Sequence, residues 1–198
     1  MKGTEIITEA RLNFGEKEAL SIEDADLEQW VNTALGELYA LLPMPELMTL
    51  SQTTSVPLNG GRGEIPEGLD HLLNVDVGDV SALEVSLNTV STIQTNPFLE
   101  PYGPVYATDT HSIWIEGADG ATSAELVHID PPARITDFEQ DVVLPKWHAA
   151  LVLFTTAFAY AQEEDKGQAQ HYRNEALALI NRTTTAPLDE MPQEAPPA

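Results

Sequence analysis

Apolar residues recur with helical period at Leu27, Trp30, Val31, Ala34, Leu35, Leu38, Leu41 and Leu42. A stripe of that spacing marks one buried face of an amphipathic helix. Ser21 is placed to cap it. Glu23, Asp24 and Asp26 put carboxylates in the first turn, where the helix dipole favours them, and Pro43 and Pro45 stop it. A shorter helix is predicted before it over 4–13, ended by Gly15. From Glu46 to Pro132 the period changes, and short runs rich in Val, Ile and Thr alternate with turn residues. The candidate strands are Leu47–Val56, Leu72–Val77, Ala82–Thr95, Pro104–Thr108, Ser112–Glu116 and Glu125–Ile129. Asn59-Gly60-Gly61-Arg62-Gly63 reads as a turn, and Gly117-Ala118-Asp119-Gly120 reads as a hairpin turn between the last two strands.

Helix returns at Leu144-Pro145, since proline suits the first helical position. To about Glu164 this helix is apolar nearly all round, with Trp147, Leu151, Val152, Phe154, Ala157, Phe158 and Ala161. Such a helix belongs at the centre of a bundle or in a subunit interface. A break near Asp165-Lys166-Gly167 precedes a last helix to about Asn181, with Ala169, Tyr172, Ala176, Leu179 and Ile180 on one face. The chain then ends in a proline-rich acidic tail that reads as extended or disordered when free. The predicted class is α+β. Residues 1–45 and 134–183 supply a helical bundle, 46–133 an inserted small all-β region of sandwich or barrel type, and 184–198 the tail.

Charge sharpens this division. Of 198 residues, 9 are basic and 32 acidic, for a net charge of −23. No lysine or arginine lies between Arg62 and Arg134, a stretch with twelve carboxylates. Such a surface repels nucleic-acid phosphates and anionic lipid. Two readings fit: adaptation to a salty medium, or a surface past which a polyanion slides without adhering.

Candidate chemistry is thin. Cysteine is absent, which excludes disulfides and thiolate chemistry. The N-terminus lacks the pattern of a signal peptide, and the longest apolar run, Ala149 to Ala161, is shorter than the roughly 20 residues a membrane span requires. The histidines His71, His111, His128, His148 and His171 accompany no nucleophile elbow. His171 and Glu175 stand at i, i+4, a spacing that serves a solvated pair as well as a metal. Asp76 and Asp79 flank Gly78 without the alternating ligands of a calcium loop, and Gly60-Gly61-Arg62-Gly63 is no phosphate-binding loop. No catalytic, cofactor-binding or metal-ligating set is assigned, and the chain reads as no enzyme.

Three elements in order carry a likeness. They are the helix Leu27-Glu28-Gln29-Trp30-Val31-Asn32-Thr33-Ala34-Leu35-Gly36-Glu37-Leu38-Tyr39; the passage Gly63-Glu64-Ile65-Pro66 through Leu72-Leu73-Asn74-Val75; and the closing helices from Leu144-Pro145-Lys146-Trp147 through Tyr160-Ala161-Gln162 to Tyr172-Arg173-Asn174-Glu175. Their order and spacing over roughly 4–182 resemble the head–tail adaptor (connector) proteins of tailed bacteriophages. The resemblance implies a structural virion protein of the neck, assembled in the host cytoplasm as a ring, dodecameric in such proteins. It implies partners in the portal and the next tail component, with DNA passing through unread. On that reading Trp30, Leu38, Trp147, Leu151, Phe154 and Phe158 are candidates for a bundle or subunit interface, and Pro187, Leu188, Met191 and Pro192 for a partner-binding tail. Two rival readings remain. One is an acidic binding module outside any virus, such as a chaperone, inhibitor or nucleic-acid mimic. The other is a hydrolase or sugar-binding β domain using Trp114, Tyr102 and Tyr106.

Overall fold

In the computed structural model, residues 1–15, 22–96, 98–99, 101–118 and 120–185 are described. The chain divides into two compact units, Met1–Pro43 with Pro132–Ala198, and Met44–Pro131.

The first unit is helical. It holds α1 (Gly3–Phe14), α2 (Asp24–Leu41), α5 (His148–Gln162, after a 3₁₀ turn at Pro145–Trp147) and α6 (Lys166–Thr185). Helix α5 packs against α1, α2 and α6. That explains a sequence apolar on every side: Leu151, Phe154, Ala157 and Ala159 are all buried. Its two mid-helix threonines are buried as well, and their hydroxyls donate back to the Leu151 and Val152 carbonyls at 2.8 Å, so no polar atom there lacks a partner. The α2 stripe is buried at Leu27, Val31, Ala34, Leu35 and Leu38, and α1 adds Ile6, Ile7 and Ala10. Gly15 closes α1 with φ +92°, and its N–H bonds the Arg11 carbonyl at 3.1 Å. Ser21, expected as the cap of α2, lies outside the described residues, and the N-cap position is instead Glu23, which makes no side-chain capping bond. The predicted break before α6 falls at Glu163–Asp165, with Glu164 at φ +62°.

Residues 132–147 have little regular structure but are pinned. Ile135 N–H donates to Asn32 Oδ1 at 2.7 Å, and Asn32 Nδ2 returns a bond to the Ile135 carbonyl at 3.1 Å. Thr4 N–H donates to the Phe138 carbonyl at 3.0 Å. A Cβ on Gly3 would stand 2.4 Å from Phe138 Cδ1, so the ring seals against bare backbone.

The second unit opens with a helical turn, α3 (Met44–Leu47), and a 3₁₀ turn, Met48–Leu50. Among its described residues the strands are β1 (Gln52–Pro57), β2 (Arg62–Glu64), β3 (His71–Val77), β4 (Val80–Ser81), β5 (Leu83–Glu84), β6 (Val105–Thr108), β7 (Ser112–Glu116) and β8 (Ser123–Ile129). They form two four-stranded sheets, ordered β1-β8-β3-β4 and β2-β7-β6-β5, antiparallel except for the β5–β6 pair. Val56, Val75 and Leu126 from the first sheet share one core with Tyr106, Ile113 and Ile115 from the second. The unit is thus a small sandwich.

Three expectations need correction. The strand foreseen over Leu47–Val56 begins only at Gln52, because Pro45 and the residues around it form helical turns first. The strand foreseen over Ala82–Thr95 is two residues of β5 followed by a helix, α4 (Leu87–Thr95), so the insert is not all-β. Ser86 Oγ accepts the Thr89 N–H at 3.2 Å as N-cap, and Leu87, Val90 and Ile93 recur every three residues; the β-branched content masked that period. Finally, β7 and β8 make no hairpin. They lie in different sheets, and the segment 117–122 carries the chain from one to the other.

Candidate partner-binding surfaces

The chain also crosses between the sheets at Leu58–Gly61, joining β1 to β2, which are the edges of the two sheets. Gly61 takes φ +80°, and a Cβ there would stand 2.6 Å from the Ile115 carbonyl oxygen, whose own N–H donates to Gly61 O at 2.7 Å. Only glycine fits so tight a crossing. Beside it an open groove of about 800 Å³ runs along both edges, lined by Val56, Pro57, Leu58, Arg62, Ile65 and Pro66, with Glu64 and Glu67 at its margin.

Arg62 is the only lysine or arginine between residues 44 and 131. Its guanidinium lies 5.1 Å from the Trp114 ring centroid, and its Nη2 donates to the buried Ser112 Oγ at 2.9 Å. The side chain is exposed yet fixed in direction. Asp109 organises the neighbouring turn. The His111 N–H reaches its Oδ1 at 2.8 Å and the Ser112 N–H at 2.7 Å. These bonds, that from His111 first, hold its carboxyl below the ordinary range. Tyr106 is shifted the other way: burial, and then the Glu84 charge, push its hydroxyl above the usual value.

At the far end of the β1–β8 pair lies an arrangement that sequence reasoning missed. His128, only 2 % exposed, places Nε2 2.9 Å from Thr54 Oγ1 and Nδ1 2.9 Å from Asp130 Oδ1, and Gln52 Nε2 donates to Asp130 Oδ2 at 2.6 Å. The order of hydroxyl, imidazole and carboxylate is that of a hydrolytic relay. The imidazole, however, is sealed in the sheet, where no leaving group can take a proton from it. The four side chains instead fasten edge strand β1 to β8. Their signal was the i, i+2 spacing of Gln52 with Thr54 and of His128 with Asp130, which puts each pair on one strand face.

The structure does not bring Trp114, Tyr106 and Tyr102 into one cleft: Trp114 carries Arg62, Tyr106 is core, and Tyr102 is fully exposed. Asp76 accepts from Ser81 Oγ at 2.5 Å and Asn74 Nδ2 at 2.8 Å, which ties the β3–β4 turn together. His171 and Glu175 stand 3.4 Å apart on the exposed face of α6. Among the described residues no three His, Asp or Glu side chains are placed to hold a metal, and no helix is long and apolar enough to cross a membrane.

Of the six interface candidates, Leu38, Trp147, Leu151 and Phe154 are buried within the helical unit of their own chain, while Trp30 and Phe158 are half-buried. The tail candidates Pro187, Leu188, Met191 and Pro192 lie outside the described residues.

No curated protein matches the chain. A family described as SU10 adaptor protein does match, over residues 1–194. That span takes in both units. The chain therefore belongs to the SU10 adaptor protein family, a family of phage head–tail adaptors whose role is structural.

Proposed function

We propose that this chain forms a ring beneath the portal of a tailed phage, extends the DNA channel and docks the tail. The observation that carries this reading is the family match from residue 1 to 194. The charge pattern supports it. Exposed carboxylates such as Glu64, Glu67, Asp79, Glu84 and Glu125 leave the β unit with a single exposed arginine and no lysine, so DNA passing it finds repulsion rather than grip. Half-buried Trp30 and Phe158 are assigned to contacts between subunits, and the tail at Pro187, Leu188, Met191 and Pro192 to the portal, laid down as an extended segment. DNA is cargo here and is not read by sequence.

Subunits this acidic repel one another, over a distance of about 10 Å at 0.1 M salt. Ring formation therefore strengthens with added salt or divalent cation. The deciding experiment is mass spectrometry of purified native particles with imaging of their necks. The expected result is the chain at a fixed copy number beside the portal. Its absence from particles, with free monomer in the extract, would overturn the reading in favour of an acidic binding module.

A further inference from the structure

The two sheets of the β unit end together on both sides. Edges β1 and β2 are joined by Leu58–Gly61 and bear the groove. Edges β4 and β5 are separated by Ala82 alone, so they also form one side, opposite the first in each sheet order. On that second side Val80 is 51 %, Leu83 68 % and Leu87 42 % exposed. One edge of the sandwich is thus hollow, with Val56, Pro57, Leu58, Ile65 and Pro66 set among polar side chains, and the other carries exposed apolar side chains.

Charge is divided in the same sense. The unit's only arginine or lysine, Arg62, stands at the groove, and one of its five N–H donors is used by Ser112. Asp79 and Glu84 are exposed on the opposite edge. Glu64 and Glu67 share the groove's margin, so the attraction is local to Arg62 and does not extend to the whole edge. An exposed apolar edge that seats in a groove on the opposite side of the next copy makes a heterologous contact, which propagates from copy to copy. A two-fold contact would instead set like against like.

We infer that the β4–β5 edge of one copy, led by Leu83 and Val80, seats in the β1–β2 groove of the next, with Glu84 near Arg62. The inference rests on the ring reading and adds its direction: neighbouring β units join edge to edge, continuing the sheets around the ring. The short strands β4 and β5 offer few backbone groups, so side chains and the Arg62 contact carry the specificity.

The absence of cysteine makes the test clean. The full chain carrying Leu83→Cys and Glu64→Cys, both exposed positions, is oligomerised in high salt and treated with a short thiol-to-thiol cross-linker. A denaturing gel should show a ladder up to the full ring, while each single variant runs as monomer. A dimer from Leu83→Cys alone would reveal a two-fold contact and overturn the inference. Rings seen by native mass spectrometry with no ladder would overturn it while leaving the ring reading intact. No oligomer at all, in solution or with portal added, would overturn both. In a second arm, Arg62→Glu should weaken assembly about tenfold and Glu84→Arg should restore it in the double variant; failure of that rescue would remove Glu84 as the partner.

Discussion

The helical unit and the β unit bury their residues to different degrees of completion. In the helical unit the most apolar element, α5, is surrounded by α1, α2 and α6, and even its threonines find partners inside the helix. In the β unit the core between the sheets is just as tight, with Val75, Ile113 and Leu126 at 0 % exposure, but both sides of the sandwich are left open. Apolarity alone is therefore a poor guide to where a partner binds. The helix most readily taken for an interface is spent on its own chain, while the least conspicuous segment, Val80 to Leu87, presents apolar side chains to solvent.

Substitutions can break this contrast or sharpen it. The largest effect is expected from Phe154→Ala, which empties the middle of α5 and should cost about 3–5 kcal/mol, read as a fall in the urea midpoint reported by buried Trp147. Asn32→Ala comes next. It strands the Ile135 N–H and carbonyl and should cost about 1–3 kcal/mol by the same measurement. In the β unit, Ser86→Ala removes the α4 cap and should cost about 1 kcal/mol, followed by Trp114 fluorescence. Leu83→Asp should change stability by less than about 0.5 kcal/mol yet reduce assembly, which separates an interface position from a core position. The last effect is one of pH. The folded Asp109 carboxyl is held below its unfolded value, so its contribution is present above the unfolded value and disappears as pH falls through the folded one. Asp109→Asn should therefore leave the β unit's acid unfolding less steep, measured by circular dichroism between neutral and strongly acid pH.

Much of this was legible in the residues. The α2 stripe, the proline stops and the all-round apolarity of α5 state their own burial, and the order of elements by itself resembles that of phage adaptors. What escaped were features of pairing between distant segments. The His128 fastening needs β1 beside β8, a partnership across some seventy residues that no local pattern encodes. Helix α4 was hidden because its valine, isoleucine and threonines favour strands, and only the Ser86 cap and the threefold spacing argue otherwise. Predicting a hairpin at Gly117–Gly120 followed the turn chemistry correctly but missed that a turn can also change sheets. Hydrophobicity marks Leu38, Trp147, Leu151 and Phe154 as interface residues of a bundle or of subunits, and it does not distinguish a chain's own core from a neighbour's.

The helical unit is assembled from both ends of the chain, with the whole β unit between them. On the ribosome this imposes an order of events. Helices α1 and α2 emerge with Ile6, Leu27, Leu35 and Leu38 uncovered, and their partner α5 begins only at His148. At about 5–20 residues per second, the wait is on the order of ten seconds. The β unit, complete by Pro131, has time to fold before α5 exists. The nascent chain's early greasy helices thus wait uncovered until the last third of the protein is made.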